Sequence, residues 1–157
     1  MGALQQALMM AVAAAGGPPH RYWRLTNISV TSTDWQPEEL QLWTDSSTRA
    51  DNSGTSLSTD ASIVFGTIDR LVDGSVGSFV EFFPMSTLKV IVWDFGSGND
   101  KSVTGFKHAD RGGGGVNNAL TTARLQYSDD NSSWTTAGDA TGIAFSSDVL
   151  SSFIPFI

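Results

Sequence analysis

Nine residues near the start of the chain alternate with a period of two. Tyr22, Arg24, Thr26, Ile28 and Val30 fall on one side, and Trp23, Leu25, Asn27 and Ser29 on the other. A helix repeats every 3.6 residues and cannot hold such a series on one face, whereas a strand does so by construction. The rest of the composition agrees. There are 20 Ser, 15 Thr and 16 Gly against only three Glu and three Lys, so good surface-helix formers are scarce and strand and turn residues abound. The expected class is all-β.

The chain has 157 residues, enough for one domain with a sizeable core and one appended arm. It contains no Cys, which excludes disulfide frameworks, thiol nucleophiles and Cys-ligated zinc. The two His, His20 and His108, are too few for a His-rich metal cluster. A net charge of −7, carried by 13 Asp and three Glu spread along the chain, argues against non-specific binding to nucleic acid or an anionic membrane. No apolar run reaches the roughly 18 residues that a membrane span requires.

Three zones follow one another. Residues 3–15 place Leu4, Leu8 and Val12 at helical spacing with Met9 beside them, and Gly16-Gly17-Pro18-Pro19 then ends the helix as a hinge. The segment resembles the apolar core of a signal peptide but has no basic residue before Arg21. We expect residues 1–20 to be an apolar docking arm with a Gly/Pro hinge, and residues 21–157 to be the β domain. Further strands are expected at 40–43, 88–95, 103–107, 123–127 and 134–136, with 44–60 as loop. Trp23, Trp93 and Trp134 are expected in the core. The tail carries Phe153, Ile154, Phe156 and Ile157, an exposed aggregation liability unless it is covered. It either packs as a final edge strand, where Pro155 is tolerated, or is buried by a neighbouring subunit. Together with Leu4, Leu8, Met9 and Val12 it forms the expected assembly surface, in a homo-oligomer, a trimer by preference.

Several motifs occur in a telling order. Arg21-Tyr22-Trp23-Arg24-Leu25 opens the domain, followed by Glu39-Leu40-Gln41-Leu42 and the turn Leu71-Val72-Asp73-Gly74. Trp93-Asp94-Phe95-Gly96 then leads to Val103-Thr104-Gly105-Phe106, and Leu125-Gln126-Tyr127-Ser128-Asp129-Asp130-Asn131-Ser132-Ser133-Trp134 closes the series. Together these resemble the discoidin, or coagulation factor 5/8 type C, family of galactose-binding-like domains over residues 21 to about 137. The resemblance implies a jelly-roll β-sandwich whose loops at one end form a ligand rim. Asn131 stands where that family has Gly, and the aromatic that usually follows the Asp-Gly turn is not a Trp. The apolar arm and glycine spacer ahead of such a sandwich also resemble virion proteins of tailed bacteriophages.

No G-x-S-x-G, phosphate loop or metal-ligand pair at helical spacing is present, so no enzyme activity is expected. Asp129 and Asp130 are adjacent in a turn and do not flank one bond. A glycan site needs an aromatic face and a few fixed polar groups on loops. By the resemblance these are Asp34 and Trp35 in an early loop, with His108, Asp110, Arg111, Asn117 and Asn118 around the glycine run. Calcium is a possible cofactor by the same resemblance, with Asp73 as its candidate ligand, although capping its own turn is the plainer role. The functional expectation is a structural or adhesion component of a bacteriophage virion (tail, fibre or decoration protein) that binds a host-surface glycan, docked to other virion proteins through the arm. The alternative is a stand-alone carbohydrate-binding module or lectin of cellular origin, or an accessory domain of a glycan-degrading enzyme.

Overall fold

In the computed structural model, residues 18–113 and 118–157 are described. The strands are β1 (Tyr22–Val30), β2 (Pro37–Trp43), β3 (Ser56–Thr59), β4 (Ile63–Phe65), β5 (Glu81–Phe82), β6 (Ile91–Asp94), β7 (Gly105–Asp110), β8 (Leu120–Ser128), β9 (Thr135–Thr141) and β10 (Ile154–Pro155). A five-stranded sheet has the order β3-β6-β1-β8-β9, a three-stranded sheet the order β10-β7-β2, and β4 pairs with β5. All the strand pairs are antiparallel. The described residues form an all-β fold, in keeping with the composition. The helix expected over residues 3–15, with Leu4, Leu8, Met9 and Val12, lies outside the described residues.

Both sheets turn their apolar faces onto one core. In β1, Trp23 stands beside Trp93 of β6 and Tyr127 of β8, and Leu25 beside Ile91 and Leu125. Leu40 and Leu42 of β2 and Phe106 of β7 enter the same cluster from the smaller sheet. The alternation of β1 changes phase midway. Asn27 takes φ 48°, and the register with β8 shifts between Thr26 and Ser29, so Ile28 becomes the next inward residue after Leu25. Asn is among the few residues other than Gly that tolerate this conformation, and the extra residue is a β-bulge.

Two buried carboxylates tie the layers. Asp51 accepts hydrogen bonds from the Leu42 amide at 2.8 Å, Arg49 Nε at 2.6 Å and Trp93 Nε1 at 2.9 Å, joining β2 to β6. Arg49 also donates to the Val72 carbonyl at 2.8 Å. Glu39 accepts from Gln41 Nε2 with one oxygen and from the amides of Gly74 and Ser75 with the other, pinning the Asp73-Gly74 turn against β2.

The C-terminal tail packs on its own domain. Ile154 pairs with Phe106, and the Phe156 ring lies 5.2 Å from that of Phe106. Phe153 and Phe156 are half-buried, whereas Ile157 is exposed yet exchanges two backbone hydrogen bonds with Asp139 of β9. Gly105 makes this packing possible. A Cβ there would fall 2.4 Å from the Ile154 carbonyl oxygen and from the Phe153 ring.

Some expectations need correcting. The stretch 44–60 is not all loop, since it contains β3, and β4 and β5 lie where no strand was expected. The strand expected at 88–95 is confined to Ile91–Asp94, and Leu88 is 83 % exposed. The strand expected at 103–107 runs instead from Gly105 to Asp110. Trp23 and Trp93 are fully buried, but Trp134 is not: it is half-exposed, its ring covered by the Arg24 guanidinium at 4.1 Å. Denaturant unfolding should separate these positions. Trp23→Ala or Trp93→Ala is expected to lose about 3–5 kcal/mol, and Trp134→Ala about 1 kcal/mol or less.

Candidate functional site

The turn before β2 builds the first half of the site. Trp35 exchanges backbone hydrogen bonds with Phe82 of β5, which turns its indole inward to stack on the Phe82 ring at 5.5 Å. Trp35 is therefore fully buried and has no face to offer a ligand. Its chain neighbours Asp34 and Gln36 point the other way. Gln36 Nε2 donates to Asp34 Oδ2 at 3.1 Å, and Asn118 Nδ2 approaches the same oxygen at 3.5 Å. Ser32 Oγ donates to Asn118 Oδ1 at 3.3 Å.

The second half comes from the end of β7. Arg111 donates its main-chain amide to the Gln36 carbonyl at 3.0 Å and its Nη1 to Gln36 Oε1 at 2.8 Å. Its guanidinium lies 4.0 Å from the centroid of the Phe79 ring. The structure thus joins Asp34, Arg111 and Asn118, each expected from sequence, through Gln36, which was not expected. Asn117 lies outside the described residues.

His108 and Asp110 sit underneath this rim. Because β7 continues to Asp110, both alternate with Phe106 onto the inner face, and each is 1 % exposed. His108 Nδ1 stands 3.3 Å from Asp110 Oδ2, which also accepts from the Ser146 amide at 3.1 Å. The main chain of Asp110 binds that of Ser146 and Asp148, and Asp148 Oδ1 accepts from the Gly112 amide at 2.8 Å. The segment 146–148 is thereby strapped to the start of the glycine run. Glu38, 4 % exposed, reaches the same place, and Glu38 Oε2, Asp110 Oδ1 and both His108 ring nitrogens have no hydrogen-bond partner in the protein. Burial, followed by the charge and hydrogen bond of Asp148, pushes the Glu38 carboxyl up to about 7. The Gly112 amide and the Ser147 hydroxyl hold Asp148 below its ordinary value. Just below neutral pH Glu38 therefore holds its proton beside an Asp148 that keeps its charge.

Asp73 does not reach this site. Its oxygens accept from the Ser75 amide at 2.8 Å and Ser78 Oγ at 2.9 Å, so the carboxylate caps its own turn. Among the described residues, no set of three or more His, Asp or Glu is arranged to hold a metal ion. Of the tail residues expected at an assembly surface, Phe153, Ile154 and Phe156 are partly covered by the domain itself and Ile157 stays exposed.

Sequence reading missed Gln36, Glu38 and Phe79. Gln36 and Glu38 flank Pro37 and carried no motif, and Phe79 is far from Arg111 in the chain. No family model matches this chain, and neither a curated protein nor a solved structure matches it.

The Glu38 carboxyl gives a signed pH dependence. Its value is raised from 4.5 to about 7 on folding. Between those limits the folded chain keeps a proton that the unfolded chain releases, so its contribution falls as pH rises across that window. Glu39 and Asp51 are also raised by burial, and the comparison with a variant isolates Glu38. Thermal melts from pH 5 to pH 8 should show a smaller fall in Tm for Glu38→Gln than for the wild type. Equal falls would assign the effect to other groups.

Proposed function

We infer that this chain is a glycan-binding adhesion module whose recognition surface is the rim built by Asp34, Gln36, Arg111 and Asn118. The reading includes a discoidin-like jelly roll. Five and three antiparallel strands give the eight-strand count of that architecture. Two motifs behind the resemblance also touch, since Glu39 holds the Asp73-Gly74 turn.

The observation that carries the reading is the fixed hydrogen-bonded series from Arg111 to Asn118. Arg111 is aligned by two bonds to one residue, leaving guanidinium donors free, and it lies on an aromatic ring. Asn118 supplies both a donor and an acceptor, matching the dual character of a sugar hydroxyl, while the buried Gln36 holds Arg111 and Asp34 in place from beneath. A preorganised rim of this kind lowers the ordering cost of binding. One small rim gives weak affinity, about millimolar to high micromolar per domain, and becomes useful through display in many copies. A bacteriophage virion, to which residues 1–20 attach the domain, is the setting proposed for such display.

The test is a glycan array probed with the full chain presented as a multivalent conjugate. Wild type should bind a limited set of glycans, and Arg111→Ala should abolish that binding while leaving the far-UV spectrum and Tm nearly unchanged. Binding that Arg111→Ala leaves intact would remove the rim from the role. Silence across the array would leave a purely structural part.

A further inference from the structure

Beside the rim, and joined to it at Arg111, lie three side chains that the hydrogen-bonded series does not include: Phe65, Phe79 and Arg70. Phe65, the last residue of β4 and 48 % exposed, stacks on Phe79 with ring centroids 4.7 Å apart and planes 20° apart. Arg111 lies over the Phe79 ring at 4.0 Å, and Arg70 over the Phe65 ring at 5.4 Å. Arg70 Nη1 donates to the Phe79 carbonyl at 2.9 Å, which fixes its fork against the segment that carries Phe79. Four planar groups, two phenyl rings and two guanidinium forks, therefore form one connected surface.

The arginines of the molecule divide into two groups, and Arg24, which bonds Gln126 Oε1 at 2.8 Å and lies over Trp134 on another face, falls with Arg70 and Arg111. Arg21, Arg49 and Arg124 each bond a carboxylate, at 2.8, 2.6 and 2.7 Å respectively. Arg70 and Arg111 bond only a main-chain carbonyl and an amide oxygen, and neither has a carboxylate within ion-pair distance among the described residues. Each fork carries five N–H donors, so several remain on both. In a chain of net charge −7, two half-buried guanidinium groups without carboxylate partners, aligned on aromatic faces, suit a ligand that brings its own carboxylate. The Phe65 ring beside them offers the apolar face that the C–H side of a sugar ring covers.

We propose that Phe65, Phe79, Arg70 and Arg111 form a subsite for a carboxylate-bearing sugar, a uronic or nonulosonic acid residue of a surface glycan. This rests on the glycan-binding reading and names the class of sugar. The acids around it are Asp69 next to Arg70, Glu81 opposite Phe65 in the β4–β5 ladder, and Glu38 and Asp148 near Arg111. They oppose long-range attraction of an anion, so recognition comes from direct, forked contact and not from steering.

The experiment follows the arginine Nε–Hε resonances of the isotope-labelled full chain by NMR. It is titrated at constant ionic strength with glucuronate, galacturonate and N-acetylneuraminate, and with glucose, galactose and N-acetylmannosamine as neutral counterparts. At least one acidic sugar should bind about ten-fold or more tighter than its counterpart and shift Arg70 and Arg111 but not Arg21 or Arg124. Arg70→Ala should weaken that binding several-fold with Tm retained, and Arg70→Lys should not restore it. Equal binding of acid and neutral sugars at the rim would overturn the acidic subsite and leave glycan binding standing. Acid binding that Arg70→Ala leaves unchanged overturns it too, as does silence toward all three acids, whatever the array shows.

Discussion

The two sheets are held in register by a carboxylate with almost no access to water. Asp51 is 3 % exposed and receives three hydrogen bonds, from the backbone of one sheet, an indole of the other and a guanidinium between them. Burial raises its pKa and these partners lower it, with burial the larger effect. Such a charge is tolerable only while every donor stays in place, since removing one partner leaves a buried anion under-satisfied. Apolar packing alone permits small slips between the layers. The Asp51 bonds permit one arrangement, and through it Trp93 and the neighbouring Trp23 take their places. Arg49 passes the constraint on to Val72 and so to the turn that Glu39 holds.

At the loop end the polar groups divide into two levels with different duties. The upper level, from Arg111 to Asn118, is partly open except at the buried Gln36, and its members are linked one to the next. The lower level, Glu38, His108 and Asp110, is enclosed and incompletely satisfied by the protein. Buried polar groups are costly when they lack partners, so the lower level is held by the strap of main-chain bonds from Asp110 to Ser146 and Asp148. Arg111 and Gly112 lie where the two levels meet, so the protonation of Glu38 and the posture of the rim are mechanically adjacent.

Legibility in the sequence followed locality. β1 was readable because its alternation is long and contains two aromatics, and the turn after β8 because Ser128 to Ser133 is uniformly polar. β3 escaped notice because Ser-Leu-Ser-Thr offers one apolar residue, and its pairing with β6 is non-local. β4 and β5 are too short to show a period. Trp35 read as an exposed platform because its sequence neighbours are polar, and what buries it is a backbone bridge to Phe82, 47 positions later in the chain. His108 and Asp110 read as loop because the glycine run lies so near, whereas the β7–β2 ladder extends strand geometry up to it. Trp134 read as core from its place after the turn, but Arg24 across the sheet gives its ring a partner outside. Arg111 was legible from chemistry alone, and its companions Gln36 and Phe79 were not, because only folding brings them together.

The tail has a meaning for the edges of the sheets. Ile154 completes the ladder on the outer side of β7, and three residues later Ile157 pairs with Asp139 on the outer side of β9. One short segment therefore occupies the open edges of both sheets, with Phe156 wedged between them. Unpaired edges template the addition of a foreign strand. The last four residues act as a selvedge, and the seam they close on one flank is where a shortened chain would begin to stick to its own copies.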